Sequence, residues 1–195
     1  MLLLILLWGI NSVSLMVREE HSLLRILHTK GLKAHKQVPA EVAAYALLQC
    51  VTLICVFMCI ILVKSRMGFY IREWDELNFS EQTVFILQLI PVVLLISTLQ
   101  AFLYELVTNV VTGVLLQFIM AVSMAYTAGC IYPLSFFPFV LQIIGAYSPV
   151  GVALRYMQQG LTLQNNFKEF IIILCYILLF VGLQIWRRNH RITKE

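Results

Sequence analysis

Ionisable residues are scarce in this chain, and one dense group of them stands at 18–30, in the stretch SLMVREEHSLLRILHTKG. Arg18, Glu19, Glu20, His21, Arg25, His28 and Lys30 alternate there with Leu23, Leu24, Ile26 and Leu27. Carboxylates beside imidazoles are raw material for acid–base or metal chemistry. The surrounding sequence supplies no machinery for either. H-E-x-x-H and G-x-S-x-G do not occur, and Asp75 is the only aspartate. The five cysteines, Cys50, Cys55, Cys59, Cys130 and Cys175, lie in apolar stretches without a C-x-x-C, as small buried hydrophobes do. None of the nine glycines is followed by Lys, so no phosphate-cradling G-x-x-x-x-G-K-[ST] loop exists. The chain therefore reads as a protein without an enzymatic centre of its own.

Wound as a helix, residues 18–30 sort into two faces. Arg18, His21, Arg25 and His28 fall on one stripe, at i, i+3, i+7 and i+10. Leu23, Ile26 and Leu27 share another, with Leu24 beside it. Glu19 and Glu20 sit in the first turn, where the positive end of the helix dipole favours them, and Gly31 can end the helix. Two readings fit such an amphipathic rod. It floats its apolar side in lipid headgroups, with its cations toward anionic lipid. Or it is a lever that docks into a soluble partner and moves with the spans on either side of it.

Those spans follow from composition. The 195 residues are 61% apolar and 12% charged, with a mean hydropathy of +0.87. A soluble domain carries about 25% charged residues. Too little polar surface is present to wrap a core, so most of the chain must be solvated by lipid. No basic run is interleaved with exposed aromatics, which argues against nucleic acid as a partner. Five crossings are expected, at 1–17, 41–63, 84–104, 110–132 and 168–186. The first starts without Lys or Arg and has no small-residue cleavage site, so it reads as a membrane helix rather than a signal peptide. Pro39 and Glu41 suit the first turn of the second crossing, and Pro91 predicts a kink in the third. A tight hairpin at 105–109 joins the third and fourth.

Residues 133–149, PLSFFPFVLQIIGAYSP, are apolar enough to cross but hold Pro133, Pro138 and Pro149. Each internal proline removes a backbone hydrogen bond that lipid cannot replace. Two short helices that dip part-way and return are the better expectation. Charge agrees with it. Five crossings put the loop at 18–36 and the tail at 187–195 on one side, with nine of the fourteen Lys and Arg residues. That side is the cytoplasm by the positive-inside rule, which sets the N-terminus outside and the C-terminus inside. Residues 65–83 then face outward, with Glu73, Asp75, Glu76 and Glu81 around Trp74 as an interfacial helix.

The order of these parts resembles the membrane (permease) subunit of type-2 ABC exporters. At the front, REEHSLLRIL (18–27) is similar to the family's acidic helix after its second span, and VPAEVAAYALLQ (38–49) to the turn and span that follow. At the back, AGCIYPLSFFPFVLQIIGAYSPVGVALRYMQQG (128–160) carries Ala128, Gly129, Pro133, Pro138, Pro149 and Arg155 in the matching places. The family has six spans and residues 1–17 match its second, so the resemblance implies a chain lacking the first span and the cytoplasmic segment before it. It also implies an all-α helical bundle in the plasma membrane, with a re-entrant outer gate formed around Gly129, Pro133, Pro138, Pro149 and Arg155. Glu19, Glu20, Leu23, Leu24, Arg25 and Leu27 would form a coupling helix seated in an ATPase subunit. ATP and Mg²⁺ would be held by a pair of such ATPase subunits, and a second permease subunit, identical or related, would complete the transporter. The cargo would be hydrophobic or amphiphilic and move outward.

An ion-coupled carrier is the rival from another class, and a scaffold without transport is a third. A carrier needs ionisable groups within the bilayer, and Glu105 alone comes close in this reading. Gln88, Gln100, Gln117 and Ser123 are polar positions within spans. They either make hydrogen bonds between helices or form a wall for an amphiphilic substrate. Arg155 and Lys168 bracket the outer loop before the last span, facing headgroups or an anionic cargo.

Overall fold

Long apolar runs bounded by charged residues become long helices. The computed structural model describes residue 5 and residues 34–67, 79–107, 109–158 and 167–192. Six α-helices and one 3₁₀ turn follow in order: α1 (Ala34–Met67), α2 (Phe79–Glu105), α3 (Val110–Thr127), the turn Leu134–Phe136, α4 (Phe139–Tyr147), α5 (Pro149–Gln158) and α6 (Phe167–Ile192). Among the described residues there is no strand. Within α1, α2 and α6 lie three segments long and apolar enough to cross a membrane: His35–Cys59, Ile86–Glu105 and Phe167–His190. A fourth is reached if α4 and α5 count as one broken span, and α3 is a shorter apolar helix. This is the composition of a multi-pass membrane protein.

The helices run past the apolar windows. α1 extends from 34 to 67 rather than 41 to 63, and α2 from 79 to 105 rather than 84 to 104. Hydropathy marks the thickness of lipid, whereas Lys, Glu and Gln in the flanks are good helix formers and prolong the helix beyond it. One consequence concerns Glu41. It is the eighth residue of α1 rather than part of its first turn, and Pro39 lies inside the helix. A helix-dipole role for Glu41 therefore gives way to the contact described below. α3 does the reverse and stops at Thr127, short of 132. Gly129 takes φ +89°, the amide of Cys130 donates to the Ala125 carbonyl (3.0 Å), and that of Gly129 donates to Tyr126 (3.3 Å). This pair of bonds is a Schellman motif, which requires the left-handed backbone that glycine adopts without strain.

α2 is the central helix. Of its crossing segment 67% is buried, against 22% in α1 and in α6. Val92, Val93, Leu95, Ile96 and Leu99 fill the core with Ala121, Ala125, Val150, Val152 and Ile173, and Ile5 is buried in the same cluster. α6 packs along α2, where Phe102 meets Phe180 at 5.6 Å between ring centroids. A second cluster joins Val38, Val42 and Tyr45 of α1 to Ala101 and Tyr104 of α2, with Val181 and Ile185 of α6 against it. Outward, α1 exposes Leu47, Val51, Ile54, Met58 and Leu62, and α6 exposes Leu178 and Trp186. Large side chains in such numbers on the outside suit a lipid solvent and not water.

Candidate functional site

Three levels of the bundle carry polar or conformationally special residues. The first is a layer of amides in the middle. Gln49 of α1 donates through Nε2 to Oε1 of Gln100 at 2.7 Å, and Ser97 Oγ donates to Gln49 Oε1 at 2.9 Å. Gln117 of α3 donates to the Gln100 carbonyl at 2.7 Å, and Gln184 of α6 donates to the Thr98 carbonyl at 2.9 Å. Three helices, α1, α3 and α6, are thereby joined to α2, and all four glutamines are buried. A buried amide needs its partners, because the unpaired group would cost more than the bond returns. Gln88, Gln100 and Gln117 are buried inside the bundle, whereas Ser123 is exposed on α3 and donates to its own helix at Ile119 (2.7 Å). Three of the four positions are therefore buried between helices, and the fourth lies on the outer surface of α3. The hydrogen-bonded amides tie neighbouring helices to α2.

The second level lies at the end of the bundle where α1 begins and α2 and α6 finish. Arg188 reaches from α6 to two carboxylates on two other helices. Its Nη1 and Nη2 donate to the Glu41 oxygens at 2.7 and 2.9 Å, a bidentate pair, and its Nε donates to Glu105 Oε1 at 2.9 Å. Nη2 also contacts Glu105. Beside it Arg187 donates to the Leu106 carbonyl at 3.3 Å, tying α6 to the turn after α2. The planar guanidinium fork suits this geometry, since it can face two acids at once, which an ammonium cannot do with the same rigidity. Arg188 is 8% exposed and belongs to the buried set. Of these three residues the sequence marks Glu105, as an ionisable group near a span end, and Glu41, as a first-turn acid, but not their shared partner Arg188. The five-crossing topology brings Glu41, Glu105 and the basic run at 187–191 to the same end, but does not say which cation meets the two acids.

The third level is the opposite end. α4 and α5, nine and ten residues long, are bent by 77°. At about 1.5 Å per residue each reaches roughly half of a hydrocarbon core. Residues 133–149 hold the 3₁₀ turn and α4, and the second short helix starts at Pro149 and continues to Gln158. Pro133 caps the turn, Pro138 caps α4, and Pro149 is the first residue of α5, where a missing N–H costs nothing. Ser148 makes the corner. Its hydroxyl donates to the Gly145 carbonyl (2.8 Å) and accepts from the Gly151 amide (3.0 Å), so one oxygen serves both helices. A Cβ on Gly145 would sit 1.9 Å from the Thr127 carbonyl oxygen, and one on Gly151 1.9 Å from that of Gly145. Backbone thus lies directly on backbone from α3 through α4 to α5. Tyr176 of α6 closes the set by donating to the Tyr147 carbonyl at 2.6 Å.

The gate candidates Gly129, Pro133, Pro138 and Pro149 all belong to this third level, as turn-makers and helix starters. Arg155 lies in the last turn of α5, with its guanidinium carbon 5.4 Å from the centre of the Tyr147 ring. The coupling candidates Glu19, Glu20, Leu23, Leu24, Arg25 and Leu27 lie outside the described residues, as does most of the outer loop at 65–83. Among the described residues no cluster of three or more His, Cys, Asp or Glu could hold a metal ion, and all five cysteines are free. No protein family, curated protein or solved structure matches the chain.

Proposed function

We propose that the chain is the membrane subunit of an ATP-driven exporter of the type-2 ABC kind, moving a hydrophobic or amphiphilic cargo outward. The observation that carries this reading is the bent pair α4–α5, set between a short apolar helix and a long closing one. The charged segment 18–30 precedes α1, and α1 starts at the end of the bundle opposite that pair. A force applied at that segment would reach α1 first, and through Arg188 both α2 and α6. ATP and Mg²⁺ belong to a separate ATPase pair in this reading, and a second permease subunit completes the pathway. The test is purification of the chain from its own membranes under mild detergent. An ATPase subunit is expected to accompany it, and E20A with R25A is expected to abolish stimulation of that ATPase by the membrane subunit. Purification without any ATPase, or stimulation untouched by the double substitution, overturns the reading.

One observation favours the ion-coupled carrier: Arg188, Glu41 and Glu105 are ionisable groups inside the candidate spans. Such groups often mark ion or proton paths. The two readings separate in vesicles. A carrier stops when an ionophore collapses the gradient, and an ATP-driven exporter continues.

A further inference from the structure

Arg155 differs from Arg188 in what surrounds it. Its Nε is buried and makes no hydrogen bond. Among the described residues no carboxylate pairs with it. Among the described residues, the guanidinium lies against the Tyr147 ring. A guanidinium N–H buried without an acceptor is costly, and an anion that reaches this half-buried side chain gains charge-assisted bonds. Two helices packed against α5, namely α4 and α6, expose apolar side chains. Tyr147 is 63% exposed, Ile143 and Ile144 are exposed one turn before it on α4, and Phe167 and Ile171 are exposed at the start of α6. Lys168 is exposed in the first turn of α6, where its neighbour Glu169 is buried and turned away from solvent. The Tyr147 carbonyl is held by Tyr176, which fixes the segment that carries the aromatic ring.

We infer that Arg155, braced against Tyr147, is a binding site for the phosphate of an anionic phospholipid, whose acyl chains lie on Ile144, Phe167 and Ile171. The chemistry at the guanidinium is that of any phosphate ester. The exposed apolar side chains on α4 and α6, both packed against α5, are what single out a lipid over a soluble phosphate. The site depends on the chain being in a membrane and not on the exporter reading.

The full chain is placed in nanodiscs of phosphatidylcholine with phosphatidylglycerol, released, and its retained lipids are counted by native mass spectrometry. Wild type is expected to keep phosphatidylglycerol, R155Q to lose about tenfold of it, and K168Q to lose a few-fold. Equal retention in R155Q overturns the site, and so does an equal loss in K36Q at the opposite end of the bundle. R155Q could also unfold, so protection of the wild-type guanidinium is read in parallel. Phenylglyoxal labelling followed by peptide mapping is expected to show Arg155 shielded by phosphatidylglycerol, with inorganic phosphate at matched concentration leaving it reactive. Equal shielding by inorganic phosphate identifies a free-phosphate site and overturns the lipid assignment. Reactivity unchanged by either overturns both.

Discussion

The two ends of the bundle are held by opposite means. At one end a single side chain, Arg188, gathers three helices through charge. At the other, helices meet through absent side chains, with Gly145 and Gly151 letting backbone rest on backbone. A charged knot can come apart and re-form when its counterions move. A glycine contact has no such freedom, because its fit depends on van der Waals distance alone. The difference suggests a molecule that is adjustable where charge holds it and stiff where shape does, with the amide layer of Gln49, Gln100, Gln117 and Gln184 between.

The largest effect expected from a single substitution is at the charged end. R188L leaves Glu41 and Glu105 facing each other without a counterion, and should cost about 3–5 kcal/mol of stability. Reversible unfolding in detergent measures it. The triple variant R188L/E41Q/E105Q should recover most of that loss, since the uncompensated charges are gone. A triple variant no better than R188L would mean that the guanidinium stabilises by packing rather than by charge.

At the stiff end, G151A forces its Cβ into the Gly145 carbonyl and should destabilise by about 1–3 kcal/mol or more. No compensating charge can rescue it, and that failure of rescue separates the two ends. Smaller again is Q49L, which removes the bonds to Gln100 and Ser97. Inter-helix hydrogen bonds in membranes average about 0.6 kcal/mol, so a loss of about 1 kcal/mol is expected from thermal denaturation. The smallest effect belongs to G182A. Nothing lies within 4 Å of a Cβ there, and α6 should gain up to about 1 kcal/mol of helix propensity. A large loss at Gly182 would show a surface covered by another chain.

Hydropathy made much of this architecture legible. The long crossings follow from runs such as FILQLIPVVLLISTLQAFLY, and the proline pattern PLSFFPFVLQIIGAYSP pointed to short pieces in place of one continuous span. Helix ends were less legible, because an apolar window reports where lipid is and not where hydrogen bonding stops. Thr127 ends α3 through a glycine five residues before a hydropathy plot would. The contact of Glu41 with Arg188 spans 147 positions, and nothing local in either neighbourhood betrays it. Gln100 and Gln117 could be located in the spans but not oriented, since an amide facing lipid and one facing another helix have the same sequence.

That separation of 147 positions also bears on biogenesis. The guanidinium is synthesised long after Glu41 and Glu105, so both acids enter the bilayer region before their cation has left the ribosome. Until then each carboxylate must stay near water or take up a proton, and α1 and α2 cannot settle at their final depth. Insertion of the last helix thus brings the cation that fastens the earlier ones, and a nascent chain stopped short of residue 188 has only the apolar contacts of α1 with α2 at that end.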